Sequence, residues 1–282
     1  MKQITIASDK LNVVISTRGA EILSIVDENG VERLWQRDPA FWAGSAPILF
    51  PIAGGLKEDA YFLDGKRYPM PKHGYVRTIE WTLEKQEKDS AVFLMTQKAE
   101  GFPFDYELRA VYAVCGNVLK VTYSVSNCGK EAFAFGMGAH EGYAIEGELS
   151  DYELVFECEE QFENHELVGN LIRREPVLLA QDTNVFPLKE DYFAVDALVF
   201  PSLKSREVTL RSRKHDRAVR VSYPQHDVLM LWMKPGAKYL CIEPWLNAPD
   251  YLDADMDIMH KPGCLRLEAG EKVERSHTIT IV

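Results

Sequence analysis

The sequence predicts an all-β fold of mostly antiparallel strands, on three observations. Apolar and polar residues alternate with a period of two along most of the chain. Gly, Asn, Asp and Pro punctuate the gaps between these runs at short intervals. No apolar stripe at helical spacing persists over about ten residues, so the strand–helix alternation of a parallel sheet is missing and a sandwich or barrel is favoured.

The runs read in chain order as strands over 3–7, 11–16, 20–26, 79–85 and 90–96, then as a longer pair. In that pair, residues 104–114 place Phe104, Tyr106, Leu108, Ala110, Tyr112 and Val114 on one face, with Asp105, Glu107 and Arg109 on the other. Residues 118–126 repeat the pattern with Leu119, Val121, Tyr123 and Val125. The short Gly-containing link between them makes a hairpin the economical reading. Further strands are expected over 132–138, 152–157, 195–200, 207–212, 218–223, 228–233, 239–243 and 272–281. Three stretches break the alternation: 44–78, 159–193 and 244–264. They read as long loops, the usual place for sites on a β scaffold. The segment Phe41–Phe50 reads as a rim loop running into a buried strand. No linker, repeat or low-complexity tract divides the chain, so one domain over 1–282 is expected.

A chain of 282 residues that is 46% hydrophobic can bury a large core. Its net charge of −11 argues against nucleic acid and anionic membrane surfaces as partners. It leaves room for a small anion held by a local arginine. The basic residues between Lys204 and Arg217 have acids among them and read as a charged strand-turn-strand edge. Cys115, Cys128, Cys158, Cys241 and Cys264 are odd in number and widely spaced, with no CxxC, so they suggest neither a zinc site nor a disulfide framework. Reduced thiols, an N-terminus without a signal-length apolar run, and no apolar stretch of about 20 residues all fit a soluble cytoplasmic protein. A monomer or homodimer is expected.

Several residues carry potential chemistry. His73 lies in Lys72-His-Gly-Tyr-Val-Arg77, where the glycine lets backbone approach an imidazole and Arg77 offers a guanidinium to carboxylates or hydroxyls. His140 follows a glycine-rich turn in Gly136–Tyr143; position 144 is Ala, so the segment lacks the second histidine of a zinc HExxH motif. Glu243 ends the run Tyr239-Leu-Cys-Ile-Glu, sharing a face with Tyr239 and Cys241 beside Pro244 and Trp245. A carboxylate there is costly unless paired, and burial raises its pKa. Asp196 either caps a turn or receives hydroxyls. Trp35, Trp42, Trp81, Trp232 and Trp245 suit core packing as well as sugar faces. His165, His215, His226, His260 and His277 form no ligand constellation, and no P-loop, dinucleotide fingerprint or nucleophile elbow occurs.

Taken together, these stretches resemble the aldose 1-epimerase (galactose mutarotase-like) superfamily, in its LacX-like branch. The resemblance runs through Gly19-Ala-Glu-Ile-Leu-Ser-Ile, Leu34-Trp, Phe41-Trp, Ala46-Pro-Ile-Leu-Phe-Pro-Ile, Asp64-Gly and His73-Gly-Tyr-Val-Arg. It continues through Gly136–Tyr143, Asp196-Ala-Leu-Val-Phe, Leu231-Trp and Cys241-Ile-Glu-Pro-Trp. It implies a β-supersandwich with a sugar cleft, no metal, no organic cofactor, and ring-opening interconversion of the α and β anomers of a free aldose. Within it, Glu243 matches the general base and His140 the general acid near the ring oxygen. His73 matches a residue that orients the sugar, and Asp196 one that binds a hydroxyl. Arg77 and Trp245 are added as cleft residues. The chemistry expects Glu243 ionised and His140 protonated before reaction. Two positions depart from the pattern. Gly55 stands where many relatives carry arginine, and Glu141 stands where they carry proline after the histidine. Glu141 is expected either to raise the histidine pKa or to face solvent. A non-catalytic sugar-binding protein and a hexose-phosphate mutarotase remain the alternatives.

Overall fold

The computed structural model describes residues 1–282. Its strands form a nine-stranded antiparallel sheet, a four-stranded one, a three-stranded N-terminal one and four two-stranded ladders. In the nine-stranded sheet, Tyr106–Cys115 and Val118–Asn127 lie beside each other near one end, and Lys272–Ile281 returns to pair with Val118–Asn127. The expected hairpin forms around Gly116, whose φ of 54° suits a two-residue turn. Its register opposes Leu108 to Val125, Ala110 to Tyr123, Tyr112 to Val121 and Val114 to Leu119, and all eight side chains are buried. Cross-strand apolar pairs of this kind stabilise a sheet, each large buried side chain contributing about 1.5–3 kcal/mol. The N-terminal strands Gln3–Ala7, Leu11–Ser16 and Ile22–Asp27 form their own three-stranded sheet, with Ile4, Ile6, Val13, Ile15 and Ile25 in the common core.

The site is carried by a four-stranded sheet ordered Glu141–Ala144, Tyr239–Trp245, Val228–Trp232 and Leu198–Phe200. Strand Tyr239–Trp245 is buried at every position, on both faces. A carboxylate on it is therefore held away from water.

Two of the three presumed loops contain strands. Within 44–78, Ala60–Leu63 pairs with Lys66–Pro69 through Asp64 and Gly65, both at positive φ. This Asp-Gly pair is a strong two-residue hairpin signal. Within 159–193, Glu163–Asn164 pairs with Val177–Leu178 and Leu167–Val168 with Leu171–Ile172, while Thr183–Pro187 joins the edge of the large sheet. Ladders of two residues are too short to show periodicity. Of the third stretch, 244–264, Pro244 and Trp245 end strand Tyr239–Trp245, and the remainder forms no strand. The basic stretch is a charged strand-turn-strand unit but not a sheet edge, since Glu207–Ser212 and Ala218–Ser222 lie inside the nine-stranded sheet; Arg206 meets Asp227, Arg211 meets Glu153, and Arg217 meets Glu146.

Candidate active site

Register brings the central pair together. The ladder that opposes Glu141 to Ile242 continues through Ala139, whose N–H donates to the Pro244 carbonyl, to the bridge between Gly138 and Trp245. It places His140 directly opposite Glu243. Directly opposed residues have Cβ atoms about 4.5–5.5 Å apart, and here His140 Nε2 lies 3.4 Å from Glu243 Oε2. The glycines at 136 and 138 permit this approach. A Cβ at Gly138 would strike the Trp245 ring, and one at Gly136 would strike the Asn247 amide.

His73 arrives on a different segment. It has a φ of 68°, and Gly74 follows at the same value. A Cβ at Gly74 would collide with the Phe50 carbonyl, so glycine is required there. The His73 backbone N–H donates to the Gly54 carbonyl at 2.9 Å, and Gly54 N–H donates back to His73 Nδ1 at 3.1 Å. With Nδ1 accepting, a neutral His73 carries its proton on Nε2. Its ring stands edge-on to His140 and to Trp245, with centroids 5.8 and 5.5 Å apart.

Glu243, His140, His73, Asp196, Arg77 and Trp245 all line one cavity of about 600 Å³. Trp245 is buried and its indole N–H is committed to the Ala139 carbonyl at 3.0 Å, so it offers the cavity only apolar surface. Asp196 precedes strand Leu198–Phe200 and accepts the Ala197 N–H through Oδ1. The absence of an arginine at 55 has a steric counterpart, since a Cβ on Gly55 would lie 2.6 Å from the Asn170 backbone carbonyl.

Trp42, Lys72, Asn170, Met230, Trp232 and Lys234, which carry no site signal in the sequence beyond their residue types and, for Trp42, a place in the rim loop, line the same cavity. Trp42 stacks on His140, with centroids 5.0 Å apart and planes inclined by 29°, and stands edge-on to Trp232. Its rim-loop position was the available signal. Trp42→Ala is expected to let the His140 ring wander and to cost about 10- to 100-fold in any rate that depends on that ring, with Trp42→Phe recovering most of it. Circular dichroism should show an unchanged fold in both variants.

Burial decides the protonation states. It pushes Glu243 well above the ordinary carboxyl range; Lys72 pulls it back, while Glu141 and Asp196 push it further up. It pushes His140 down to about 3, with Arg77 and Lys72 acting in the same direction. His73 is likewise driven well down by burial, then by His140, Lys72 and Arg77. Burial thus favours the uncharged form of each group, a carboxyl on Glu243 and a neutral imidazole on His140, and opposes the ion pair that the chemistry expects before reaction. Glu243 Oε2 and His140 Nδ1 have no hydrogen-bond partner.

Glu141 meets neither expectation. Its side chain points into the interior, 1% exposed, and lies 2.9 Å from Nε2 of buried His277. Cys241 lies under the site, its sulfur within 4.8 Å of ligand atoms of His140 and Glu243. Burial, then Glu243 and Glu141, hold that thiol well above its usual pKa. Metal binding needs the thiolate, so the trio is poorly suited to a cation.

The fold and this cavity define a β-supersandwich of the galactose mutarotase kind. The chain belongs to the aldose 1-epimerase family, whose model matches residues 2–280. It is 31% identical to Protein LacX, plasmid, of Lactococcus lactis subsp. lactis, over 99% of both chains. Among solved structures it resembles a galactose mutarotase related enzyme from Lactobacillus acidophilus, with 30% identity and a TM-score of 0.93 over 100% of this chain and 97% of that one. A galactose mutarotase-like protein from Lactobacillus casei ATCC 334 matches at 26% identity and a TM-score of 0.92, over 100% of both chains. No helix is long and apolar enough to cross a membrane.

Proposed function

We propose that this protein interconverts the α and β anomers of a reducing aldose by acid–base ring opening and closure, with residues 1–282 acting as one domain. The observation that carries this reading is the opposed His140–Glu243 pair, buried in a cavity with unpartnered polar atoms on both residues.

Ring opening removes a proton from the C1 hydroxyl and delivers one to the ring oxygen O5. Two adjacent groups that hold one proton between them can do both without exchanging protons with solvent. In the resting pair that proton sits on Glu243. Its transfer to His140 creates a carboxylate and an imidazolium with no change in proton count. Glu243 then takes the O1 proton while His140 protonates O5, and the C1–O5 bond breaks. Rotation about C1–C2 turns the other aldehyde face toward the chain hydroxyl, and closure reverses the transfers. His73 offers a donor through Nε2, Asp196 an acceptor for hydroxyls, and Trp42 and Trp245 apolar walls. These residues fix orientation, where small displacements are costly in rate.

Exchange NMR on a panel of aldoses tests the reading. Anomer interconversion should be faster with enzyme than in buffer for at least one sugar. Saturable binding without acceleration would instead identify a sugar-binding protein.

The pH profile gives a further check. A second proton disables the pair, and burial of His140 opposes its uptake. The acid limb of kcat/KM should therefore lie well below the ordinary histidine value of about 6.5, leaving activity level down to about pH 5. The alkaline limb marks loss of the last proton and is displaced upward with Glu243. An acid limb centred near 6.5 would contradict the neutral-pair assignment.

A further inference from the structure

The Trp42 indole lies on His140 in a slot made by glycine. A Cβ at either Gly44 or Gly142 would come within 2.9 Å of the indole. The loop that carries Trp42 has little structure of its own, since the chain between Asp27 and Lys57 forms neither strand nor helix beyond isolated bridges. Its place is set by a few ties. Trp35 donates its indole N–H to the Trp42 carbonyl at 2.7 Å. Gly142 N–H, on the strand just after His140, donates to the Ser45 carbonyl at 2.8 Å. The remaining tie runs to the N-terminal sheet. Ser45 N–H and Ala46 N–H both donate to Oε1 of Glu21, at 2.7 and 3.1 Å, and the buried Ser45 hydroxyl donates to the neighbouring Ile22 carbonyl at 2.6 Å. Glu21 is half-buried, directly precedes strand Ile22–Asp27 and does not line the cavity. Backbone N–H groups bound to a carboxylate make hydrogen bonds about twice as strong as neutral ones.

We propose that Glu21 is a positioning residue for anomer exchange: it fixes the rim loop through Ser45 and Ala46, the loop fixes the Trp42 indole, and the indole fixes the imidazole of His140. This rests on the mutarotase reading above. Glu21 takes no part in proton transfer, and its effect is geometric. His140 needs such support from outside. Its Nδ1 has no partner, so no hydrogen bond on the far side of the ring sets its orientation. His73 differs, since its Nδ1 is held by the Gly54 N–H at 3.1 Å. The His140 ring is oriented instead by aromatic neighbours, of which Trp42 is stacked while His73 and Trp232 stand edge-on. Proton transfer needs heavy atoms within about 2.6–3.2 Å, and His140 Nε2 rests 3.4 Å from Glu243 Oε2. A ring free to swing spends less time within reach of either the carboxyl or the sugar. Glu21 has one other influence to be separated from this one: its charge acts on Arg77, which lines the cavity.

The test measures kcat and KM by exchange NMR for Glu21→Ala, Glu21→Gln, Trp42→Ala and the double variant Glu21→Ala with Trp42→Ala. Fluorine NMR of protein labelled with fluorotryptophan, the Trp42 line being assigned by its loss in Trp42→Phe, reports on the indole without turnover. Glu21→Ala should lower kcat at least about fivefold and displace or broaden the Trp42 line. Glutamine keeps an acceptor for both N–H groups, so Glu21→Gln should recover most of the rate and the wild-type line. The double variant should fall within about twofold of Trp42→Ala alone, because the indole that Glu21 positions is already gone. A Glu21→Gln variant as slow as Glu21→Ala would trace the effect to the charge on Arg77, and losses that multiply would route it past Trp42; either result overturns the inference. So does an unchanged kcat with an unchanged Trp42 line in Glu21→Ala. Should that variant not fold, Glu21→Asp draws the carboxylate back by one methylene, with the same loss of rate and displaced line expected and wild-type values again overturning the inference. If the wild-type protein accelerates no aldose, the mutarotase reading falls separately. The Trp42 line then decides the rest: displaced in Glu21→Ala and restored in Glu21→Gln, it supports Glu21 as the anchor of the ring, and undisplaced it overturns that role.

Discussion

Glu243→Gln is expected to lower kcat/KM for anomer exchange by about 10²- to 10⁴-fold, the usual range for a positioned acid or base. The amide keeps the shape and one acceptor but cannot take the O1 proton. His140→Ala should cost a similar factor, since it removes the other half of the transfer. The two losses should not multiply. With one partner gone the other has nothing to exchange its proton with, so the double variant should fall at most about tenfold below the worse single one. Stability should move the opposite way. Glu243 is 1% exposed and its Oε2 has no partner, so folding has to desolvate a carboxyl with little return. The Gln variant should unfold at the same temperature or higher. A variant retaining more than about a tenth of the wild-type rate, or fully multiplicative losses, would remove the pair from the chemistry.

The regular strands were legible because their signal is local. Alternation over 106–115 and 118–127 is long enough to set both the strand and its buried face. The hairpin at Asp64-Gly65 was equally local but lay in a proline- and glycine-rich stretch and was read as loop. The cavity residues were reached through motif resemblance, not through periodicity. His140 and Glu243 are about a hundred residues apart, and only the register between Glu141–Ala144 and Tyr239–Trp245 makes them neighbours. Protonation was not legible at all. It depends on burial, and every position of the strand carrying Glu243 is buried on both faces. His226 and His277 looked isolated in sequence because their surroundings are assembled from three strands and a turn.

Those surroundings set the second large effect. Glu141 and His277 are both about 1% exposed and meet at 2.9 Å, with Glu141 next to His140 in the chain. His226, wholly buried and kept neutral by burial and by His277, stands edge-on to the His277 ring at 6.1 Å. Tyr112, Tyr123 and Tyr143 are held protonated by burial and by the Glu141 charge. Glu141→Ala leaves His277 Nε2 without its partner in a site closed to water and should destabilise the fold by about 3–5 kcal/mol, read from urea unfolding. Glu141→Gln keeps an acceptor for Nε2 and should cost less than half as much. In a double-mutant cycle with His277→Ala, the paired variant should cost at least about 2 kcal/mol less than the sum of the singles. The Gln variant also separates support from chemistry. Glu141 raises Glu243 through space, alongside Asp196 and against Lys72. Removing the charge lowers Glu243 and brings the alkaline limb of kcat/KM to lower pH, while the acid limb, governed by the burial of His140, stays in place. A variant that loses stability with neither limb displaced would confine Glu141 to holding the sheet together, with no electrical influence on the neighbouring acid.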